Sequence, residues 1–372
     1  MNARRFVAPA LAVVLLAGVA AAVWYSNRDV KSGRAAADST AQAAGGTVHG
    51  LIGSEKEAFF SDPRVRKALG VHGLNAVVEK AGSRTIANSY DPKLYDFGFP
   101  SGAPAAAQLR VLSRARNVYT PFYTPIVLAS WRPIAEILVA NGIAVKQDDF
   151  YYVVDMARLI TMIKDGTRWK DLKGSAAFQT GKAVLVNSTD VRTSNSAAMY
   201  LSLASYVANG QQVVGSQAEV EKVMPVVAPL FLRQGFQETS SAGPFEDYLA
   251  LGMGKAPLLV AYESQMVEFW LKHPDRISSD MVLLYPRPTV YSKHVIVPYT
   301  PAGELLGAAM ESDTALIALA HEYGFRTGGD VKGPEIWARK GIKVPAVLQD
   351  VVDPPSYEWL ERMIKEIESR FN

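Results

Sequence analysis

The segment at residues 188–210 (STDVRTSNSAAMYLSLASYVANG) begins with hydroxyl, amide and charged residues and continues with small apolar residues at helical spacing. The first four N–H groups of a helix lack partners within it, so side-chain oxygens cap them, and the helix dipole attracts negative charge there. An arginine in the segment can donate two parallel hydrogen bonds to an oxyanion or carboxylate. The segment predicts either an anion-binding helix N-terminus or an ordinary helix cap. Its candidate ligand-binding residues are Thr189, Arg192, Ser194, Asn195 and Ser196.

Two similar polar corners follow other apolar runs. Residues 53–56 (GSEK) come after the strand-like run 48–52, and residues 262–264 (YES) end the run that starts at residue 258. Open α/β sheets bind ligands at the carboxyl ends of their strands, so these corners are candidate ligand contacts, with capping turns as the alternative. The further candidates, one of them on an extended run, are Ser54, Glu55, Lys56, Thr124, Tyr262 and Glu263.

The charged members of the first corner point to different ligand groups. Lys56 would complement a negative charge on a ligand, whereas Glu55 would oppose an anion or pair with a cationic group. The hydroxyl of Ser54 is a hydrogen-bond donor for either kind of ligand.

Motifs that would indicate catalysis, a metal or a cofactor are missing from the sequence. The chain has no cysteine, which excludes disulfides, iron–sulfur clusters, zinc–thiolate sites and a cysteine nucleophile. It has no G-x-S-x-G elbow, its five histidines do not have metal-ligand spacing, and GSAAFQTGKA does not fit a phosphate-binding loop. The sequence therefore gives no support for a catalytic centre and predicts a binding protein with no metal and no cofactor.

The net charge of the chain limits the classes of molecule that it can bind. The 372 residues carry a formal net charge of +3, too balanced for the dense basic face of a nucleic-acid-binding protein.

Arg4 and Arg5 precede the apolar run 6–25, which predicts that residues 1–25 are a cleaved signal peptide or a retained membrane anchor. Either one places the rest of the chain in the periplasm or at the outer face of the cytoplasmic membrane. Residues 26–46, rich in Ala, Ser and Gly, predict a flexible linker.

The remaining sequence alternates strand and helix patterns, which predicts an α/β fold with parallel strands. Residues 184–187 (VLVN) predict a buried strand before the segment at 188–210. Two extended runs that contain proline, at 117–131 and 281–300, predict two strands that cross between two lobes with a cleft between them. The predicted lobes are 47–128 with 285–372, and 129–284.

In their order and spacing, the motifs GLIGSEKEAFF, YTPFYTPIVLASW, NSTDVRTSNSAAMYLSL, PLLVAYESQ and LLYPRPTVYSKHVIV resemble extracellular solute-binding proteins of the type II periplasmic class. The resemblance is closer to the branch that includes molybdate- and sulfate-binding proteins. It implies two α/β lobes, each a β-sheet flanked by helices, which close on a small ligand held by helix N-termini. By the same resemblance Ser54, Thr124, Tyr262 and the helix N-terminus at 189–196 are ligand contacts.

The resemblance implies an extracytoplasmic, monomeric solute-binding protein that delivers a small polar, anionic ligand to the permease of an ABC importer. A site that binds an oxyanion through uncharged donors would carry fewer charges than the four supplied here by Glu55, Lys56, Arg192 and Glu263. A larger polar or zwitterionic ligand therefore remains an alternative. Two other functions also stay open: a membrane-tethered sensor or assembly factor with the same fold, and a hydrolase that uses Ser and Lys in the cleft.

Overall fold

The computed structural model describes residues 46–276, 280–328 and 331–371. The predicted signal peptide or anchor at 1–25, and the predicted linker up to residue 45, lie outside these ranges. No helix in the described ranges has both the length and the apolar character needed to cross a membrane.

The sheet passes through both parts of the molecule. Its strands pair in the order β2-β1-β3-β9-β4-β8-β6-β5, while β7 pairs with β4 and β10 with β9. In the described residues the strands are β1 Gly46–Ile52, β2 Leu74–Lys80, β3 Phe97–Phe99, β4 Tyr119–Trp131, β5 Ala144–Lys146, β6 Tyr151–Asp155, β7 Leu258–Tyr262, β8 Met281–Arg287, β9 Thr289–Pro298 and β10 Val351–Val352.

The two predicted crossing strands are present. The first part of β4 pairs with β9, and its second part pairs with β7 and β8. Strands β8 and β9 follow each other directly along the second extended run. The part of the molecule built on β1, β2, β3 and β9 is here called the first lobe, and the part built on β5 to β8 the second lobe.

The predicted parallel pairing describes only part of the sheet. Strands β1 and β3, β6 and β8, and β9 and β10 pair in parallel, but β4 is antiparallel to β7, β8 and β9. The cause is that the chain passes from the first lobe to the second in β4 and returns through β8 and β9, so the crossing strands run in opposite directions.

Helices cover the sheet. In the described residues they are α1 Glu57–Ser61, α2 Pro63–Val71, α3 Ser83–Ile86, α4 Ala103–Ser113, α5 Arg132–Ala140, α6 Met156–Lys164, α7 Asn195–Ala208, α8 Gln217–Leu232, α9 Ala242–Leu251, α10 Glu263–Lys272, α11 Pro301–Ser312, α12 Thr314–Glu322, α13 Lys332–Arg339 and α14 Tyr357–Glu368.

Each lobe has its own apolar core. Phe59, Phe97 and Phe122 are buried in the core of the first lobe, and Leu201 and Leu284 in that of the second. Burial of these large side chains stabilises each lobe by roughly 1.5–3 kcal/mol per residue. The two cores leave a polar region between the lobes.

The C-terminal helix α14 packs with the second lobe, although the predicted division assigned residues 285–372 to the first. Its apolar stripe, Leu360, Met363, Ile364 and Ile367, lies in the core that contains Leu201. A stripe at this spacing has to be covered by another apolar surface, and α7 and α8 supply it. The helix also reaches the first lobe, because Arg84 Nη2 lies 2.5 Å from Glu361 Oε1.

Candidate functional site

The first corner follows β1 and begins with Gly53. Residues Ser54–Lys56 form a single 3₁₀ turn that leads into α1, and the Lys56 N–H donates to the Gly53 carbonyl at 3.1 Å. A Cβ atom at Gly53 would lie 2.4 Å from Ser101 Oγ, so the absence of a side chain lets the β3–α4 loop approach this corner.

The Lys56 side chain is fully buried beneath the corner. Its Nζ lies 2.5 Å from Glu55 Oε1, 2.7 Å from Ser101 Oγ and 3.1 Å from His294 Nδ1. The Ser101 hydroxyl also donates to Glu55 Oε1. The ammonium therefore directs its donors at three protein groups, which is what a buried cation requires.

The charges of this cluster follow from its contacts. Burial raises the pKa of Glu55, but the Lys56 ammonium and the hydrogen bonds from Lys56 and Ser101 outweigh burial and hold that pKa at about 2. Burial lowers the pKa of Lys56, and the Glu55 carboxylate opposes that shift. Burial and the Lys56 charge lower the pKa of His294 well below its ordinary value, so its imidazole is neutral. The corner thus contains one ion pair with Glu55 ionised.

The second corner precedes α7. The predicted strand at 184–187 is not a regular strand; Val184 and Val186 are buried, but only Asn187 forms a bridge, with Leu259 of β7. Burial of the two valines and backbone hydrogen bonds hold this segment in place: the Val184 N–H donates to the Thr167 carbonyl, and Asn187 exchanges 2.8 Å bonds with Leu258 and Val260 of β7. Ser194 is the N-cap residue of the 14-residue helix α7 and makes no side-chain cap hydrogen bond.

Asn195 joins the two lobes at this corner. Its Nδ2 lies 2.9 Å from the Ser101 carbonyl oxygen and 3.1 Å from both Ser292 Oγ and Tyr262 Oη, so its two N–H donors are shared among three acceptors. The third corner therefore meets the second through the Tyr262 hydroxyl. Burial is the main cause that raises the pKa of Tyr262 far above its ordinary value, so the phenol stays protonated.

The three corners surround one cavity of about 340 Å³. Pockets for small molecules run from about 300 to 1,000 Å³, so the size suits a small ligand. Nine serine and threonine residues line the cavity, which makes its wall a dense set of hydroxyl groups: Ser54, Ser83, Thr85, Ser101, Thr193, Ser194, Thr239, Ser240 and Ser241.

The two lobes touch at the edge of this cavity. Ser54 Oγ of the first lobe lies 3.0 Å from Ser240 Oγ of the second. A Cβ atom at Gly82 would lie 2.3 Å from the Thr193 carbonyl oxygen, and one at Gly102 would lie 2.3 Å from Asn195 Oδ1. The lobes are therefore in close contact around the cavity.

Five of the predicted site residues line the cavity: Ser54, Glu55, Ser194, Asn195 and Tyr262. The prediction that the three corners meet in one cleft is confirmed. That these residues bind a ligand stays a prediction.

The other six predicted residues lie outside the cavity wall: Lys56, Thr124, Thr189, Arg192, Ser196 and Glu263. Of these, Lys56 lies beneath the first corner, and Thr189 and Ser196 lie within the second. Lys56 is enclosed by Glu55, Ser101 and His294, so its charge complements Glu55 and not a ligand. Thr189 Oγ1 lies 2.8 Å from Ser196 Oγ, and both side chains are buried within the α7 corner.

Arg192 is not a clamp at the cavity. Its Nη2 lies 2.5 Å from Asp190 Oδ2, and its guanidinium lies 4.5 Å from the centre of the Phe371 ring. The nearby carboxylate and the C-terminal aromatic ring hold the side chain on the outer side of the loop.

Thr124 and Glu263 are structural at the third corner. Thr124 Oγ1 accepts a hydrogen bond from the Ser264 N–H at 3.1 Å, so it caps α10. Glu263 is fully buried and forms an ion pair with Arg326 at 2.7 Å. Tyr285 donates to the same carboxylate at 2.5 Å.

Sequence reasoning missed the serines that complete the cavity, above all Ser101 and Ser240. Both stand just before a helix whose first turn contains proline or glycine, in the strings PSGAP and SSAGP. A polar residue before such a helix start is the same signal that identified the α7 corner. It was available in the sequence at both positions.

The described residues contain no group of three or more His, Asp or Glu side chains that could hold a metal ion. The cavity wall instead offers hydroxyl and amide groups, the Glu55 carboxylate and the ammonium of Lys80. This arrangement is suited to hydrogen bonding with a polar organic or oxyanionic ligand.

The sequence matches no protein-family model and no curated protein. The structure is similar to iron-bound HitA from Pseudomonas aeruginosa, with a TM-score of 0.53 at 11% identity over 86% of this chain and 99% of HitA. It is also similar to an ABC transporter solute-binding protein from Thermotoga lettingae bound with α-D-tagatose, with a TM-score of 0.52 at 11% identity over 87% of this chain and 93% of that protein.

The sulfate-binding protein SubI from Mycobacterium tuberculosis gives a TM-score of 0.47 at 16% identity over 81% of this chain and 92% of SubI. A likeness at this level does not assign a branch, so the closeness to sulfate- and molybdate-binding proteins stays a prediction. The chain has the two-lobe α/β fold of the type II periplasmic solute-binding proteins.

Proposed function

We propose that this protein is a monomeric, extracytoplasmic solute-binding protein. It captures a small polar ligand that carries an anionic group, and it delivers that ligand to the permease of an ABC importer. The location is the periplasm or the outer face of the cytoplasmic membrane. The observation that carries the proposal is the hydroxyl-lined cavity in which three strand-to-helix corners from two lobes meet.

The hydroxyl groups support capture of a polar ligand. Each hydrogen bond to a neutral group contributes roughly 0.5–1.5 kcal/mol, and each to a charged group roughly 1.5–3 kcal/mol. Micromolar binding needs about 8 kcal/mol, which a handful of such bonds supplies. The contact between Ser54 and Ser240 supports a ligand enclosed by both lobes.

The N-terminus of α7 supports an anionic group on the ligand. Ser194 and Asn195 line the cavity at this end, and the Ser194 side chain does not cap the helix. The dipole of a long helix favours negative charge at its N-terminus by about 0.3–1 kcal/mol. The fold supports delivery to a permease, because the similar protein from Thermotoga lettingae is an ABC transporter solute-binding protein.

Binding without chemistry is part of the proposal. Lys56 and Ser101 are the residue types of a serine–lysine hydrolase and lie 2.7 Å apart. The Ser101 hydroxyl, however, donates to Glu55, whose pKa of about 2 makes it a weak proton acceptor near neutral pH. Turnover of a bound compound that disappears in Ser101→Ala would contradict this part of the proposal.

The test is mass spectrometry of small molecules released from the freshly purified chain, followed by calorimetry with the released compound. In Ser240→Trp the indole fills the cavity, so we expect binding to be lost. Ser312→Trp, at the exposed end of α11, is the matched control and keeps binding.

Three results would count against the proposal. Equal binding by Ser240→Trp would place the ligand outside this cavity. A loss of binding in Ser312→Trp as well would show that the effect is not local to the cavity. No released compound, together with no binding across a broad screen of polar metabolites, would remove the proposal altogether.

A further inference from the structure

The two oxygens of the Glu55 carboxylate have different surroundings. Oε1 accepts from Lys56 and Ser101 and lies 3.4 Å from His294 Nδ1. Oε2 accepts no hydrogen bond from any residue in ranges 46–276, 280–328 and 331–371. The side chain is 7% exposed, and Glu55 lines the cavity. One carboxylate oxygen is thus satisfied by the protein, and the other is left to the cavity.

The Lys56 ammonium does not offer a compensating donor to the cavity. A lysine ammonium has three N–H donors, and Glu55, Ser101 and His294 lie within hydrogen-bond distance of this one. The side chain of Lys56 is 0% exposed. A ligand at this wall therefore meets the carboxylate and not the ammonium.

The second cation near the cavity is largely solvated. Lys80 lines the cavity, but its Nζ lies 2.9 Å from Glu57 Oε2 and its side chain is 54% exposed. Water and salt screen an exposed charge, so this ammonium acts more weakly on a ligand than the buried Glu55 carboxylate does. The dominant charge at the first corner, as a ligand experiences it, is the negative charge of Glu55.

We propose that the ligand is a small zwitterion whose ammonium group donates to Glu55 Oε2. Its acidic group lies at Ser194 and Asn195 on the opposite lobe, and this step rests on the proposed function. The two charges of such a ligand match the two ends of the cavity. A simple oxyanion matches the α7 end and is repelled at Glu55.

Matched pairs of compounds test this directly. The full-length chain, freed of released small molecules, is titrated by calorimetry with taurine and ethanesulfonate, 2-aminoethylphosphonate and ethylphosphonate, and β-alanine and propionate. Inorganic sulfate, inorganic phosphate and a set of neutral monosaccharides complete the panel. We expect at least one amine to bind about 10-fold or more tightly than its deaminated partner. A compound identified by mass spectrometry is tested in the same way against its own deaminated form.

The variants are designed around the buried ion pair. Glu55→Gln alone leaves Lys56 as an uncompensated buried charge, so it is made together with Lys56→Met, which removes that charge. We expect the double variant to lose the preference for the amine while its affinity for the deaminated partner stays the same or rises. Glu322→Gln, which alters an exposed pair with Arg64, is the control and keeps the preference.

The other possible outcomes distinguish a failure of this inference from a failure of the proposed function. Equal affinities within every pair, or tighter binding of sulfate, phosphate or a neutral sugar, overturn the zwitterion and leave a solute-binding protein. A preference for the amine that survives in the double variant overturns the role of Glu55. No binding by any panel member, with no compound released from the purified chain, overturns both proposals.

Discussion

Glu55 and Glu263 occupy similar positions in the chain, each at a polar corner where a buried strand gives way to a helical turn. Their carboxylates nevertheless have different surroundings. Arg326 donates from Nε to Glu263 Oε1 at 2.7 Å and from Nη2 to Oε2 at 2.8 Å, and Tyr285 donates to Oε2 at 2.5 Å. Within the part of the chain that the structure describes, the donors to Glu55 all reach Oε1.

The difference follows from the cationic partner. Arginine presents a planar fork that covers both oxygens of a carboxylate, whereas lysine is a compact charge that covers one. Arg326 therefore makes Glu263 part of the buried structure. Lys56 makes Glu55 ionised but leaves one of its oxygens to the cavity. At two similar strand-to-helix corners, the type of the cationic partner thus decides whether the carboxylate is fully covered or keeps one oxygen directed at the cavity.

The largest expected effect is at the Glu263 corner. Glu263→Gln leaves the buried Arg326 guanidinium without a counter-charge, and we expect the free energy of unfolding to fall by about 3–5 kcal/mol. Equilibrium unfolding in urea measures this loss. The protein that remains folded should bind its ligand as the wild type does, because Glu263 lies outside the cavity wall.

Tyr285→Phe is the matched control for that prediction. It removes one hydrogen bond to the Glu263 carboxylate and keeps the ion pair, so we expect a loss of only about 1.5–3 kcal/mol. A Glu263→Gln loss no larger than the Tyr285→Phe loss would show that the ion pair contributes little. Weakened ligand binding by folded Glu263→Gln would show that the two corners do not divide their roles.

Lowering the pH should remove the contribution that ionised Glu55 makes to the free energy of unfolding. Its pKa is about 2 in the folded chain against an ordinary value of 4.5, so its stabilisation is complete above pH 4.5 and is lost as pH falls through about 2. The loss is at most about 3 kcal/mol. Unfolding free energies at pH 7, 4.5 and 3 are compared between the wild type and Glu55→Gln/Lys56→Met.

The double variant is needed as a reference because other carboxylates titrate in the same range. The hydrogen bond from Arg64 outweighs burial and also holds the pKa of Asp62 at about 2. We expect the unfolding free energy of the wild type to fall relative to that of the double variant between pH 4.5 and pH 3. A difference between the two that is constant over this range would mean that Glu55 is not held ionised by Lys56.

Local signals in the sequence predicted the elements and the corners well. Asp313 caps α12, since its Oδ1 accepts from the Ala315 and Leu316 N–H groups at 2.8 and 3.0 Å. Gly324 follows the end of that helix with a φ of 73°, the left-handed conformation that glycine commonly adopts there. These features depend on neighbouring residues, so a single sequence contains the information that specifies them.

Contacts between distant parts of the chain could not be predicted in this way. Ser54 and Ser240 are 186 residues apart, and Asn195 is 94 residues from Ser101. The partner of Glu263 is a case in point, because nothing near Glu263 in sequence indicates that Arg326 covers it. Which polar corner is buried and which faces the cavity depends on such pairs.

Close contact between the lobes should affect ligand affinity at the cavity that the Glu55 corner lines, and should not affect the Glu263 corner. A Cβ atom at Gly102 would lie 2.3 Å from Asn195 Oδ1, although its φ of −141° is open to alanine. Overpacking costs about 1–3 kcal/mol, so we expect Gly102→Ala to weaken ligand affinity about 10-fold in calorimetry. Gly70→Ala, whose Cβ would meet nothing within 4 Å, is the control with unchanged affinity. Unchanged affinity in Gly102→Ala would mean that this contact is not needed around the bound ligand.

The smallest effects compare one hydroxyl at each corner. Ser54→Ala removes the contact with Ser240 across the cavity, and we expect a several-fold loss of ligand affinity with little change in unfolding free energy. Thr124→Val removes the acceptor for the Ser264 N–H, so we expect the unfolding free energy to fall by about 1 kcal/mol with affinity unchanged. Calorimetry and urea unfolding on both variants check this reciprocal pattern. If Ser54→Ala lowered stability while Thr124→Val lowered affinity, the cavity would have to be centred at the other corner, where the Glu263 carboxylate is already covered by Arg326 and Tyr285.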